Sequence, residues 1–101
     1  MNYRSTLANQ IKVLDQKFKD QCIVAQDGGL FLLTPEFLSA IKHITEDSQW
    51  VLDMNQTPIL IDNIADFYKR SYNVYYTALS DYGTKFNQLK SQRSVETILD
   101  L

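Results

Sequence analysis

The sequence is poor in the residues that carry covalent and metal chemistry. It holds one cysteine, Cys22, and one histidine, His43, among 101 residues. A lone cysteine excludes an intrachain disulfide and suits a reducing compartment, so a cytosolic location is expected. One histidine and one cysteine are too few to supply the nitrogen and sulfur ligands of a transition-metal site. No cofactor is expected. Glycine occurs only at Gly28, Gly29 and Gly83, and none stands in a phosphate-loop or dinucleotide-binding pattern. No run approaches the roughly 18 apolar residues of a membrane span, and the opening MNYRSTLANQ lacks the apolar centre of a signal peptide. Membrane partners are not expected.

Proline is equally scarce, with Pro35 and Pro58 alone, so nothing after position 58 forbids a long helix. The stretch from Asp62 onward uses that freedom. Ile64, Phe67, Val74, Tyr75, Leu79, Tyr82, Phe86 and Leu89 recur at steps that fit a 3.6-residue period, which predicts an amphipathic helix over 62–93. Asp62 is the expected cap, Gly83 the expected bend, and Ser94 the start of a short terminal segment over 94–101. At 101 residues there is material for one domain and one core.

Earlier in the chain, Leu7, Ile11, Leu14, Phe18 and Cys22 predict a first helix over about 3–25, capped by Ser5 and stopped by Asp27-Gly28-Gly29. Leu30-Phe31-Leu32-Leu33 reads as a short buried strand. Thr34-Pro35-Glu36 is a strong helix start, because a threonine cap, a proline at the first position and an early carboxylate all suit free N–H groups. It predicts a second helix over about 35–45. Trp50-Val51-Leu52 and Ile59-Leu60-Ile61 flank a polar turn and predict a hairpin over about 50–61, joined with residues 30–33 in a sheet of two or three strands. The fold expected is α-dominated α+β: two shorter helices and a small hairpin packed on one long C-terminal helix.

The net charge of −2 hides an asymmetry. Between Phe67 and Val95 five basic residues face one acidic residue, a local charge of +4. The remainder carries five basic and eleven acidic residues, or −6.

The candidates for chemistry are few. Asp53-Met54-Asn55-Gln56-Thr57 begins like a calcium loop, but Pro58 stands where the sixth-position glycine belongs and Ile64 where the twelfth-position glutamate belongs. A polar turn is the better reading. His43 lies at the margin of the second helix's apolar face without positioned partners, and Cys22 continues a buried stripe. Nucleophile elbows and Walker motifs are absent, and no enzymatic activity is expected. The comparison with a winged helix-turn-helix fails because Ile44 to Trp50 leaves no room for a recognition helix, and duplex DNA binding stays a minor alternative.

Binding offers more. Tyr68, Lys69, Arg70, Tyr72, Tyr75 and Tyr76 crowd aromatics and positive charge into nine residues. Such a cluster suits a protein interface, and stacking aromatics with cations also suit single-stranded nucleic acid. The plainer reading makes Phe67 and Tyr75 core, with Tyr68, Tyr72 and Tyr76 at its border. At the chain's end, Ser94 to Leu101 sets Ile98, Leu99 and Leu101 among acids, either as a peptide motif for a partner's groove or as closure of the chain's own core.

VLDMNQTPILI followed by an aromatic helix ending LKSQRSVETILDL resembles small accessory proteins of T4-like tailed bacteriophages, over roughly the second half of the chain. The resemblance implies a host-cytosolic protein. The late-transcription coactivators of such phages end in an apolar-acidic tail that binds the sliding clamp, a part that Ile98, Leu99 and Leu101 would play here. The function expected is a non-enzymatic adaptor binding a protein partner through the long C-terminal helix and the apolar-acidic tail, at Tyr68, Lys69, Arg70, Tyr72, Tyr76, Ile98, Leu99 and Leu101. A homodimer or larger structural assembly, and single-strand nucleic-acid binding, are the alternatives.

Overall fold

A computed structural model describes residues 3–99 of the backbone and residues 6–92 of the side chains. The elements run α1 (Tyr3–Gln21), β1 (Ile23–Gln26), β2 (Gly29–Leu32), α2 (Pro35–Lys42), β3 (Gln49–Leu52), β4 (Pro58–Ile61) and α3 (Ile64–Leu99). This is the α-dominated α+β architecture expected, with differences that each have a local cause.

The first helix stops at Gln21, and β1 occupies residues that periodicity assigned to its last turn. Ile23 and Val24 are β-branched and favour an extended backbone. Asp27 and Gly28 both take positive φ, 50° and 86°, forming a two-residue hairpin turn between paired Gln26 and Gly29. Asp27-Gly28 therefore closes a hairpin, where the sequence reading had placed the end of a helix. The second hairpin pairs Trp50 with Leu60 and Leu52 with Pro58. The strands form two separate two-stranded sheets, not one sheet of three.

Thr34 caps α2 as expected, its Oγ1 accepting the Phe37 N–H at 3.0 Å, and the helix ends at Lys42. The cap of α3 is Asn63 and not Asp62: Asn63 Oδ1 accepts the Asp66 N–H at 3.0 Å. Asp62 instead donates its own N–H to Asp27 Oδ2 at 3.3 Å. Ser94 starts no new segment, since α3 is continuous for 36 residues.

The core lies where the first half of α3 meets α2 and the hairpins. Phe31, Phe37 and Phe67 form an aromatic triad with centroid separations of 5.2 to 6.1 Å, and Cys22, Leu33, Leu38, Ile41, Ile61 and Ile64 surround it. The inward stripe of α3 is Ile64, Phe67, Ser71, Tyr75 and Ala78. Leu79, assigned to that stripe from spacing, is 38% exposed; small Ser71 and Ala78 take the inward positions and admit neighbours closely.

Beyond this body α1 and α3 run antiparallel as a two-helix arm. Phe18 sits 5.8 Å from Tyr75 and 5.2 Å from Tyr82, whereas Thr6, Asn9 and Val13 flank the same groove as Lys85, Gln88 and Gln92. The molecule measures 61 × 21 × 16 Å. Its radius of gyration, 18.3 Å, exceeds the ~13 Å of a compact chain this long.

The hairpins cross at Gly29. A Cβ there would stand 2.6 Å from Ile59 Cγ1 and 3.2 Å from Phe31 Cε2, so Gly29 is required by close approach. Gly29→Ala is expected to cost about 1–3 kcal/mol, as overpacking does. Urea unfolding should place the cost largely on Ile59, with Gly29→Ala milder in an Ile59→Ala background than alone. Equal costs in both backgrounds would remove that contact as the cause.

Candidate functional site

The basic tyrosine cluster separates in three dimensions. Tyr68, Tyr72 and Tyr76 stand one turn apart on one flank of α3, with ring centroids 6.0 and 4.6 Å apart. Tyr68 packs against the core, and Tyr72 and Tyr76 are each 45% exposed. Tyr75 turns inward, edge-on to Tyr76 at 5.1 Å. Burial pushes its hydroxyl above the usual tyrosine range. Lys69 is exposed beside the ladder, three residues from Tyr72.

Arg70 leaves the cluster. Its guanidinium donates to the Ala25 carbonyl at 2.9 Å and to Gln26 Oε1, tying α3 to β1. Of the residues chosen for a nucleic-acid contact, the arginine is thus engaged within the fold. Leu101 lies outside the described residues, as do the side chains of Ile98 and Leu99, whose backbone continues α3.

Cys22 is buried, and burial raises its thiol above the ordinary range, away from the reactive thiolate. His43 is exposed as the C-cap of α2. Asp53 is the most heavily hydrogen-bonded carboxylate in the described structure. Its Oδ1 accepts the N–H groups of Asn55 and Thr57, each at 2.9 Å, and Oδ2 accepts that of Leu30 at 3.2 Å. The Leu30 carbonyl accepts the Met54 N–H at 2.8 Å. Asp53 thus folds its own turn and fastens one hairpin to the other. The Thr57 donor above all, with those of Leu30 and Asn55, holds the carboxyl below the usual aspartate range. Among the described residues, no group of three or more His, Cys, Asp or Glu is placed to hold a metal, and no helix is long and apolar enough to cross a membrane.

Two surfaces escaped the sequence reading. The first is the outward face of the hairpins. Trp50 is 62% exposed, and Leu30, Leu32, Leu52, Met54 and Leu60 are also exposed. The run Leu30 to Leu33, expected as a buried strand, alternates between buried and exposed side chains. A two-stranded sheet with one face on the core must turn alternate residues outward, and Trp50-Val51-Leu52 and Leu30-Phe31-Leu32 do so. The signal was the alternation itself.

The second is the arm. Its seam residues Leu7, Ile11, Leu14, Phe18, Tyr82, Phe86 and Leu89 are all half-buried and none is fully buried. A groove of about 540 Å³ runs beside them, lined by Val13, Leu14, Leu89 and Lys85 among others, with Val13 67% exposed. An adjoining cleft of about 620 Å³ contains Lys17, Asp81 and Lys85. Lys85 pairs with Asp81 at 3.2 Å. Its proximity pushes the Lys17 ammonium below the ordinary lysine range.

No protein-family model matches the chain, and neither a curated protein nor a solved structure does.

Because folding depresses the Asp53 carboxyl, its stabilising contribution is complete above the unfolded-state value and is lost as pH falls through the folded one. The urea midpoint should drop on acidification from pH 7 toward pH 3. Asp53→Ala should lower the midpoint at pH 7 and flatten that drop. A variant as steep as the parent would remove Asp53 from the acid response.

Proposed function

We propose that this chain is a non-enzymatic adaptor that works by protein–protein contact, with the arm formed by α1 and α3 as one contact surface and the outward hairpin face as another. One observation carries the reading: Trp50, Leu52 and Leu60 on the hairpins and Val13 on the arm stay exposed, and the seam of the arm is only half-covered. Residues 26–66, which include β2, β3 and β4, hold seven acidic residues against Lys42. The rest of the chain, residues 1–25 and 67–101, holds nine basic residues against five acidic ones. Exposed apolar side chains grouped on a surface mark a protein interface.

The arm is half of a helical bundle. Two antiparallel helices present an apolar stripe wider than either can cover on the other. The Tyr72–Tyr76 flank adds amphipathic rings of the kind that dominate interface energetics. The resemblance to phage coactivators adds the transcription machinery and the sliding clamp as partner classes, which Ile98, Leu99 and Leu101 would meet as the resemblance implies.

The test is photo-crosslinking from single positions in cytosolic extract. A reactive side chain at Val13 or Trp50 should give discrete adducts, and one at exposed Ala40 on α2 should not. Adducts equally abundant at all three positions, or absent from both Val13 and Trp50, would overturn the reading.

A further inference from the structure

We propose that the arm closes on the arm of a second copy, antiparallel about a two-fold axis, so that α1 and α3 of both molecules form a four-helix bundle. This rests on the reading of the arm as a contact surface and names its occupant. The lining of the groove steps by three and four along each helix, from Asn9 to Leu14 and from Lys85 to Gln92. That is the spacing of a single helix face on either side, with Val13, Leu14 and Leu89 as its apolar part. Size selects this face over the hairpins for a symmetric contact. The 19 residues of α1 run ~28 Å, and two helices side by side are ~20 Å across. Two such outlines bury roughly 1,100 Å², above the ~1,000 Å² a specific interface needs. A hairpin of four-residue strands offers only about 130 Å².

The chemistry of the face selects a second copy. Four exposed amides line the groove, those of Asn9, Gln10, Gln88 and Gln92. An amide both donates and accepts, so it pairs with another amide, and a face built of amides and apolar groups is complementary to itself. Among the described residues, the one charged side chain lining the groove is Lys85, and Asp81 already holds it at 3.2 Å. A charged peptide of either sign therefore finds no unpaired charge there, and a second copy meets no like charge. The adjoining cleft fixes the direction. It holds Lys17, Asp81 and Lys85 toward the inner end of the arm, a cluster with one surplus cation. Parallel arms would set one cluster against the other. Antiparallel arms set each cluster against the amide-lined tip of the partner, whose carbonyls accept from the ammonium.

Light scattering after size exclusion should give the parent twice its 11.7 kDa monomer mass. Small-angle X-ray scattering should give that dimer a maximum dimension of about 95 Å, since two molecules 61 Å long overlap only along the ~28 Å arm. Val13→Lys and, on the other helix, Gln88→Lys each put an ammonium at an exposed position of the face, and circular dichroism checks that each variant folds. Both should be monomeric at concentrations where the parent is dimeric. Trp50→Lys changes the hairpin face alone and should keep the dimer mass.

A dimer that survives both arm variants, or that Trp50→Lys dissociates, would place the contact elsewhere and overturn the proposal. A dimer no longer than one molecule would mean parallel arms, with the same consequence. A parent that stays monomeric to millimolar concentration overturns self-association. Crosslinks from Val13 to another protein would then leave the adaptor reading standing, and their absence from both Val13 and Trp50 would remove both.

Discussion

Every feature of this structure follows from a helix longer than the body it belongs to. At about 1.5 Å per residue, the 36 residues of α3 extend roughly 54 Å, and its stripe has to be covered by different elements along that length. Near Ile64 and Phe67 the cover is α2 and the two hairpins, and burial is complete. Around Tyr75 and Ala78 it passes to Phe18 of α1. Further on, α1 alone remains, and Tyr82, Phe86 and Leu89 are only half-covered. The gradient from core to open seam is the consequence of one helix running out of neighbours.

The same economy shapes the other end. Isolated two-stranded sheets are marginal in water, and this chain builds two of them from strands of four residues each. They persist because they hold each other. Gly29 admits the Ile59 side chain, and Asp53 gathers N–H groups from both hairpins on one carboxylate. Arg70 then fixes the first hairpin to α3. With the inner faces committed to this packing, the alternate residues Trp50, Leu52 and Leu60 have only solvent to face.

The main helical periodicities and the Thr34 cap were legible because they depend on local spacing and local hydrogen bonding. What escaped depends on distance in the fold. The Asp27-Gly28 turn is ambiguous by itself, since positive φ ends a helix as readily as it closes a hairpin; Leu30 to Leu33 pairing back on Ile23 to Gln26 decides it. Arg70 looked available because its acceptors lie about 45 residues away in sequence. Leu79 matched the period of the stripe, but the inward side of α3 is chosen by Phe18 and α2, which favour the small Ser71 and Ala78. Sequence also gives the apolar content of Trp50-Val51-Leu52 without its direction, which only the packing of the opposite hairpin supplies.

Fully burying a large aliphatic or aromatic side chain is worth roughly 1.5–3 kcal/mol; Trp50, Leu52, Leu60 and Val13 stay 42–67% exposed and forgo about half of that each, a sum that matters beside the ~5–15 kcal/mol that holds a domain together. Folding does not require their exposure, because an alternating strand folds equally well with polar residues on its outer face. Covering either surface would return the forgone free energy as association, coupling stability to whatever occupies it. The half-covered seam and the outward hairpin face are thus the places where cover by another surface would add most to the stability of the fold.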